Sequence, residues 1–373
     1  MSIYEQPILM LPPFTVRLTV SILAETKDYN HELMNVPKMW KSTMGEGVKV
    51  VILDTGLPRH NDLSIVMRGK SFVPGYLEDT NGHGTHVAGI LNAIANNGMG
   101  VAGIAPKAEV SCGAVLGKDG SGTINGIIDG IRWAVDEVGA KVINMSLGIS
   151  AGVPRFKDLE KACDYACSQG VTVVCAAGNE AAGVGQPACY DSVIAVAAVD
   201  AGKKRASFSD YGPEVDFAAG GVDVFSTWLN NGYAKLSGTS MASPALAGVV
   251  TLILADEFKD TGKWLTMSEV YAKLKKIAYN ATGPVFDEYE GWGIPLFGND
   301  GGGEPEPVPE PVPEPEKPDV CDCSLGFPMA KQFLDAAVVA LNQGVTTEQA
   351  VAEGLRATQL YVARVAGVRA RRM

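Results

Sequence analysis

The run VKVVILDTG, residues 48–56, decides the fold class. Val50, Val51, Ile52 and Leu53 follow one another without a polar break, and the run ends on Asp54, Thr55 and Gly56. A half-exposed strand would alternate apolar with polar residues. An unbroken β-branched run instead suits a strand buried on both faces of a parallel sheet. Three more such runs follow: KVINMSL (141–147), VTVVCAA (171–177) and VIAVAAV (193–199). Between them, GTHVAGILNAIAN (84–96), INGIIDGIRWAVDEV (124–138) and FKDLEKACDYACSQG (156–170) carry helical spacing. The alternation predicts an α/β fold, doubly wound, with a mainly parallel sheet flanked by helices. Such sheets place ligands beyond the carboxyl ends of their strands, so chemistry is expected just after each run.

Composition sets the outer limits. With 46% hydrophobic and 20% charged residues, the chain reads as globular rather than disordered. A net charge of −11 argues against a nucleic-acid-binding surface over the main body. The start MSIYEQPILMLPPF has no basic leader, and Pro7, Pro12 and Pro13 break its apolar run, so it does not read as a signal peptide. No stretch of eighteen or more apolar residues predicts a membrane span. Seven cysteines cannot all pair within one chain. The expectation is a cytoplasmic protein with reduced thiols.

Composition also divides the chain. Residues 1–40 form an N-terminal extension, 41–298 the α/β domain, 299–319 a Gly-rich then Pro/Glu-rich linker, and 320–373 a helical hairpin. The linker EPEPVPEPVPEPEKP (304–318) has no capacity to build a core. As an extended spacer at ~3.1 Å per residue it reaches about 45 Å. Past it, helical patterns span about 328–342 and, from the capping pair Thr346 and Gln349, a second helix. So small a hairpin buries little apolar surface, which predicts self-association or docking of a client through residues 328–372. Cys321 and Cys323 lack the second Cys pair or neighbouring His that a zinc site requires.

Three segments meet the expectation of chemistry at strand ends. VVILDTG puts Asp54 at the end of a strand, NGHGTHVAG puts His83 where a glycine-flanked loop enters a helix, and GTSMASPALAGVV puts Ser240 at the start of an apolar helix. A serine hydroxyl alone is a poor nucleophile. It needs a neutral histidine to take its proton and a carboxylate to hold that histidine's tautomer. Singly, each residue has an ordinary explanation as a turn or cap residue.

Together, LDTG, NGHGTHVAG and GTSMASP in the order Asp, His, Ser resemble the subtilisin family of serine peptidases over roughly residues 37–296. The resemblance implies a subtilisin-like fold in which Asp54 orients, His83 acts as general base then acid, and Ser240 attacks the scissile carbonyl. It makes His86 structural. Asn179, in VVCAAGNE, resembles the family's oxyanion asparagine, with the Ser240 backbone N–H as second donor. Gly120, Ser121 and Gly122, and Ser146, Leu147 and Gly148, fall on two segments that resemble the family's substrate-binding strands. Gly185 resembles the small residue near the base of the first specificity pocket, which leads us to expect a large apolar side chain before the cut. Pro187 matches a family proline that is usually cis.

The likeness extends to a metal. NNGMGVAG (96–103) resembles the family's calcium loop, implying Asp62 and Asn97 as side-chain ligands and Ala95, Met99 and Val101 as carbonyl ligands of Ca²⁺. Lacking a long propeptide, the chain is most similar to intracellular subtilisins, in which a short extension crosses the cleft. Leu11, Pro12, Pro13 and Phe14 would form that inhibitory segment, because proline lacks an N–H and fixes φ. The reading is therefore a calcium-dependent intracellular endopeptidase acting on polypeptides. Two alternatives remain open: a dedicated maturation peptidase or peptide ligase with a recruited client, and a catalytically silent scaffold.

Overall fold

The computed structural model describes residues 7–11, 15–19, 24–63, 68–280 and 285–299. The predicted hairpin, most of the linker, Pro12, Pro13 and Phe14 lie outside these residues. The strands are β1 (Pro7–Met10), β2 (Thr15–Thr19), β3 (Thr26–Lys27), β4 (Lys49–Asp54), β5 (Arg68–Ser71), β6 (Val101–Ala102), β7 (Glu109–Ala114) and β8 (Ser121–Thr123). They continue with β9 (Val142–Met145), β10 (Thr172–Ala176), β11 (Ile194–Val199), β12 (Phe217–Gly220), β13 (Val224–Trp228), β14 (Gly232–Ser237), β15 (Ala278–Tyr279) and β16 (Ile294–Pro295). The helices are α1 (Asn30–Leu33), α2 (Val36–Met39), α3 (His83–Asn92), α4 (Ile124–Trp133), α5 (Lys157–Ser168), α6 (Thr239–Thr261) and α7 (Met267–Ile277).

Seven strands form the central sheet in the order β12-β11-β10-β9-β4-β7-β5, and every neighbouring pair is parallel. All four apolar runs of the sequence are strands of this sheet. Each residue of β9, β10, β11 and β12 is buried, which is why these runs carry no polar alternation. The helices pair as α3 with α6 and α4 with α5 around the sheet. The strand order turns at β4, whose neighbours β7 and β9 lead the chain in opposite directions, so a crevice opens at its carboxyl end.

The longest helix, α6, is apolar on all sides because it packs against β9 to β12 on one flank and α3 on another. Among the described residues it alone has the length and hydropathy to cross a bilayer, but 83% of that stretch is buried inside the protein. Pro244 sits within it, removing the N–H that would bond the carbonyl four residues back, that of Ser240.

The expected boundary at residue 41 moves earlier. Met34 and Val36 are fully buried in the main core, β3 pairs with β6, and the Phe297 N–H donates to the Met34 carbonyl at 3.0 Å. Helices of four residues carry too little periodicity to be seen in a sequence, so this stretch read as an arm.

Candidate active site

Asp54 is the last residue of β4 and His83 the first of α3. His83 Nδ1 lies 2.8 Å from Asp54 Oδ1 and 3.0 Å from Oδ2, with both residues buried. The Thr55 N–H donates to Asp54 Oδ1 at 2.7 Å. With Nδ1–H committed to the carboxylate, the Nε2 lone pair is the one left to accept a proton.

The start of α3 is held by a residue that sequence reading passed over. Asp79, itself buried, accepts through Oδ1 from the N–H groups of Asn81 and Gly82 and from Thr55 Oγ1, and through Oδ2 from the N–H and Oγ1 of Thr85. Of the first N–H groups of α3, Asp79 takes that of Thr85, while Asn81 Oδ1 takes that of His83 and Thr55 Oγ1 that of Gly84, and the bond from Thr55 Oγ1 to Asp79 ties the helix start to the strand end that carries Asp54. Gly84 permits the close approach: a Cβ there would meet Thr55 Oγ1 at 3.0 Å and Asp54 Oδ1 at 3.2 Å. Its context, EDTNG, reads as an ordinary turn, so no signal in the sequence set it apart.

Ser240 is the second residue of α6. Its Oγ donates to the Ser146 carbonyl at 3.2 Å, and Ser146 Oγ donates to the Ser240 carbonyl at 2.9 Å, replacing the helical bond that Pro244 removes. Behind Ser146, Asn144 Nδ2 donates to Ser146 Oγ at 3.0 Å and Ser243 Oγ donates to Asn144 Oδ1 at 2.8 Å. The end of β9 and the start of α6 are therefore knitted by buried hydroxyl and amide groups. Asn144 is the polar residue in the middle of the apolar run KVINMSL, and that interruption was its signal.

Asn179 follows β10. Its Oδ1 accepts from the N–H and Oγ1 of Thr239, both at 2.8 Å, which orients the amide. Its Nδ2 and the Ser240 N–H flank the same point: a Cβ on Gly238 would lie 3.0 Å from the first and 3.7 Å from the second. Two N–H donors thus border one small space beside the serine, as stabilisation of an oxyanion requires.

His86 has the structural role expected of it. Its Nε2 donates to the carbonyls of Val224 (3.1 Å) and Ala234 (3.0 Å), and burial lowers its pKa to about 3.

Of the two segments expected to bind substrate, Leu147 and Gly148 line a pocket, and Gly120 to Gly122 lie at the start of β8. Gly120 turns the chain with φ +77°, and Ser121 and Gly122 open β8. Here β8 is already paired: β1 adds to it antiparallel, matching Leu9 with Gly122 and Met10 with Ser121, and the Leu11 N–H donates to the Gly120 carbonyl at 3.1 Å. Leu11 also lines a pocket of about 220 Å³ bounded by Leu147, Gly148, Ala176 to Glu180, Gly185 and Asp210. Gly185 is fixed by the pocket wall itself, because a Cβ there would fall on the Ile149 carbonyl where residues 149 and 186 pair. The Gln186–Pro187 peptide is cis, as the resemblance implied.

The expected cation ligands are only partly converged. Asp62 and Asn97 meet, with Asn97 Nδ2 donating to Asp62 Oδ1 at 2.6 Å. Asp62 Oδ2 takes the Val101 N–H at 2.9 Å and the Tyr233 hydroxyl at 3.2 Å. Glu25, absent from the sequence expectation, accepts through Oε2 from the N–H groups of Asn97 and Gly98 on the bend that also carries Ala95 and Met99. Among the described residues no three His, Cys, Asp or Glu side chains form a cluster. The set is oxygen-only and fits a hard cation by type, with both Asp62 oxygens now engaged by protein donors.

The sequence that builds this site has counterparts in known proteins. The profile of the subtilase family matches residues 45–293. Subtilisin DY of Bacillus licheniformis is 45% identical over 266 residues, covering 69% of this chain and 93% of that protein. Subtilisin Savinase of Lederbergia lenta is 48% identical over 212 residues, covering 56% of this chain and 77% of that protein. Alkaline elastase YaB of Bacillus sp. (strain YaB) is 49% identical over 212 residues, a match spanning 56% of this chain and about half, 54%, of that relative. With a matched profile over well over half its length and the fold to accompany it, the chain belongs to the subtilase family and is a serine endopeptidase.

Proposed function

We propose that Asp54, His83, Ser240 and Asn179 carry the peptide-bond hydrolysis. The observation that carries this reading is the buried Asp54–His83 pair at the start of α3, a helix that packs against α6, whose own start carries Ser240 beside the Asn179 amide. His83 takes the Ser240 proton as Oγ attacks the scissile carbonyl, Asp54 stabilises the imidazolium, and Asn179 Nδ2 with the Ser240 N–H holds the oxyanion. His83 then returns the proton to the leaving amine, and water repeats the cycle on the acyl-enzyme. Ser240→Ala should abolish both casein hydrolysis and labelling by a fluorophosphonate. Labelling that persists in this variant would place the nucleophile elsewhere. Asn179→Leu should lower kcat by roughly 10²–10³, the loss known for a subtilisin of this same family on removal of its oxyanion asparagine.

In the same reading β1 and Leu11 act as a built-in inhibitor. β1 takes the β8 edge that an extended substrate would pair with, and Pro12 and Pro13, next in sequence, lack the N–H that a pairing residue contributes. Calcium would be held by Asp62, Asn97 and the carbonyls of Ala95, Met99 and Val101, with Glu25 beside them. When bound it would supply cross-linking of the bend rather than chemistry at the scissile bond. The five described cysteines are free thiols, which suits a reducing, cytoplasmic location. Subcellular fractionation of the native host checks that location. Residues 328–372 would serve self-association or client docking. Size-exclusion of the full chain against a 1–300 truncation tests this role, which fails if both elute as monomers and degrade the same substrates.

A further inference from the structure

We propose that the pocket beside Asn179 takes a cationic side chain, lysine or arginine, on the residue preceding the cut, and that Asp210 selects it. The proposal rests on the catalytic reading above and adds the substrate class to it.

Asp210 lines the pocket and is 1% exposed. Its Oδ1 accepts from the N–H groups of Glu180 (2.8 Å) and Ala182 (2.9 Å), which holds the loop after Asn179. That role uses one oxygen. Among the described residues Oδ2 receives no hydrogen bond, and it stands directly beneath Gly178, where a Cβ would overlap it. Gly178 adopts φ +121° there, so the pocket lining is bare backbone at the point where the carboxylate stands.

Arg205, the nearest cation that influences Asp210, stacks between Tyr211 (4.9 Å) and Tyr289 (5.0 Å) and donates to the Ser209 carbonyl. Among the described residues no Lys or Arg nitrogen lies within ion-pair reach of Asp210. A buried carboxylate whose charge no cation balances is costly to keep ionised, and a cationic ligand removes that cost. Burial accordingly holds its pKa above the ordinary carboxylate range. A second carboxylate, Glu180, stands at the rim, hydrogen-bonded to Ser150 Oγ.

The rest of the lining is apolar: Leu147, Ile149, Ala176 and Ala177. Apolar walls suit the methylene stem of lysine or arginine as well as they suit leucine, and the head group then meets Asp210. The expectation of a large apolar residue rested on Gly185, and the close approach of Ile149 accounts for that glycine without reference to substrate. Leu11, which lines the same pocket in the resting chain, brings no charge to it.

The test uses the full chain and four peptides that differ only in the residue before the cut: Lys, Arg, Leu and Phe. Wild type should favour Lys and Arg. Asp210→Asn keeps an oxygen for the two loop N–H groups while removing the charge. It should lower kcat/KM for the Lys and Arg peptides by roughly 10²-fold and leave the Leu peptide within about threefold. An equal drop for all four assigns Asp210 to the loop alone and overturns the proposal, as does a wild-type preference for Leu or Phe. A readout independent of turnover is protection of Ser240 from a fluorophosphonate. Benzamidine should slow labelling of wild type more than neutral benzamide does, and equal effects overturn the proposal even if Asp210→Asn fails to fold. Absence of labelling both in the full chain and in a chain lacking residues 1–20 would instead overturn the assignment of Ser240 as nucleophile.

Discussion

Asp79 touches no reacting atom, yet five donors depend on it, three of them backbone N–H groups around the start of α3. Asp79→Ala leaves these donors buried without a partner, and we expect a loss of about 3 kcal/mol in urea unfolding. Activity should fall through kcat more than KM, since His83 loses its footing while the substrate strands do not. His86 gives a prediction with a definite sign. Its folded pKa of about 3 lies below the ordinary 6.5, so between these values the unfolded chain binds the extra proton and the stabilisation from neutral His86 drains away as pH falls. Asp216, raised by burial to about 6, titrates in the opposite sense, so one melting curve mixes the two. The gap in thermal midpoint between wild type and His86→Asn isolates the histidine and should narrow from pH 7 to pH 4. At this scale the sequence was readable where a residue broke a pattern, as His83 does in a glycine-rich loop. It was silent where the role is a fan of hydrogen bonds: nothing in LEDTNG marks Asp79 as the anchor, and nothing in FSDYG marks Asp210 as a pocket residue.

Among the elements, four sheet strands were plain because burial on both faces writes itself as an apolar run. Three others were not. β7 is buried from Val110 to Ala114 yet interleaves Ser, Cys and Gly, β12 is the short FAAG, and β5 is the polar edge strand RGKS. The N-terminal elements show the same limit, because pairing partners distant in sequence leave no periodicity. β1 pairs with β8, and β2 pairs antiparallel with β14, matching Thr15 with Ser237 and Thr19 with Tyr233. Deleting residues 1–20 removes both strands and should raise the initial rate on a peptide substrate several-fold. An unchanged rate in progress curves of freshly purified protein would reject an inhibitory role for β1.

At the scale of the whole molecule, the bend at 95–101 joins the N-terminal β3 to the main body through β6, and Glu25, Asp62 and Asn97 gather beside that junction. If calcium binds there, it stabilises the folded chain by mass action, about 2.7 kcal/mol at a hundredfold excess over Kd. Chelator should then lower the melting temperature by roughly 5–10 °C for a domain of this size, and calcium but not magnesium should restore it. No shift would remove the ion from the account without touching the catalytic groups.

The two pairings of the N-terminal segment also set a direction in time. If β1 inhibits, then while the chain is intact it is leashed beside β8 by β2, and its hold is the same at any protein concentration. Break a single peptide bond between Leu11 and Thr15, and the leash is gone: what was a neighbour becomes a loose peptide that must find the groove again by diffusion. Release on dilution is then a one-way step, a latch that opens once for each molecule.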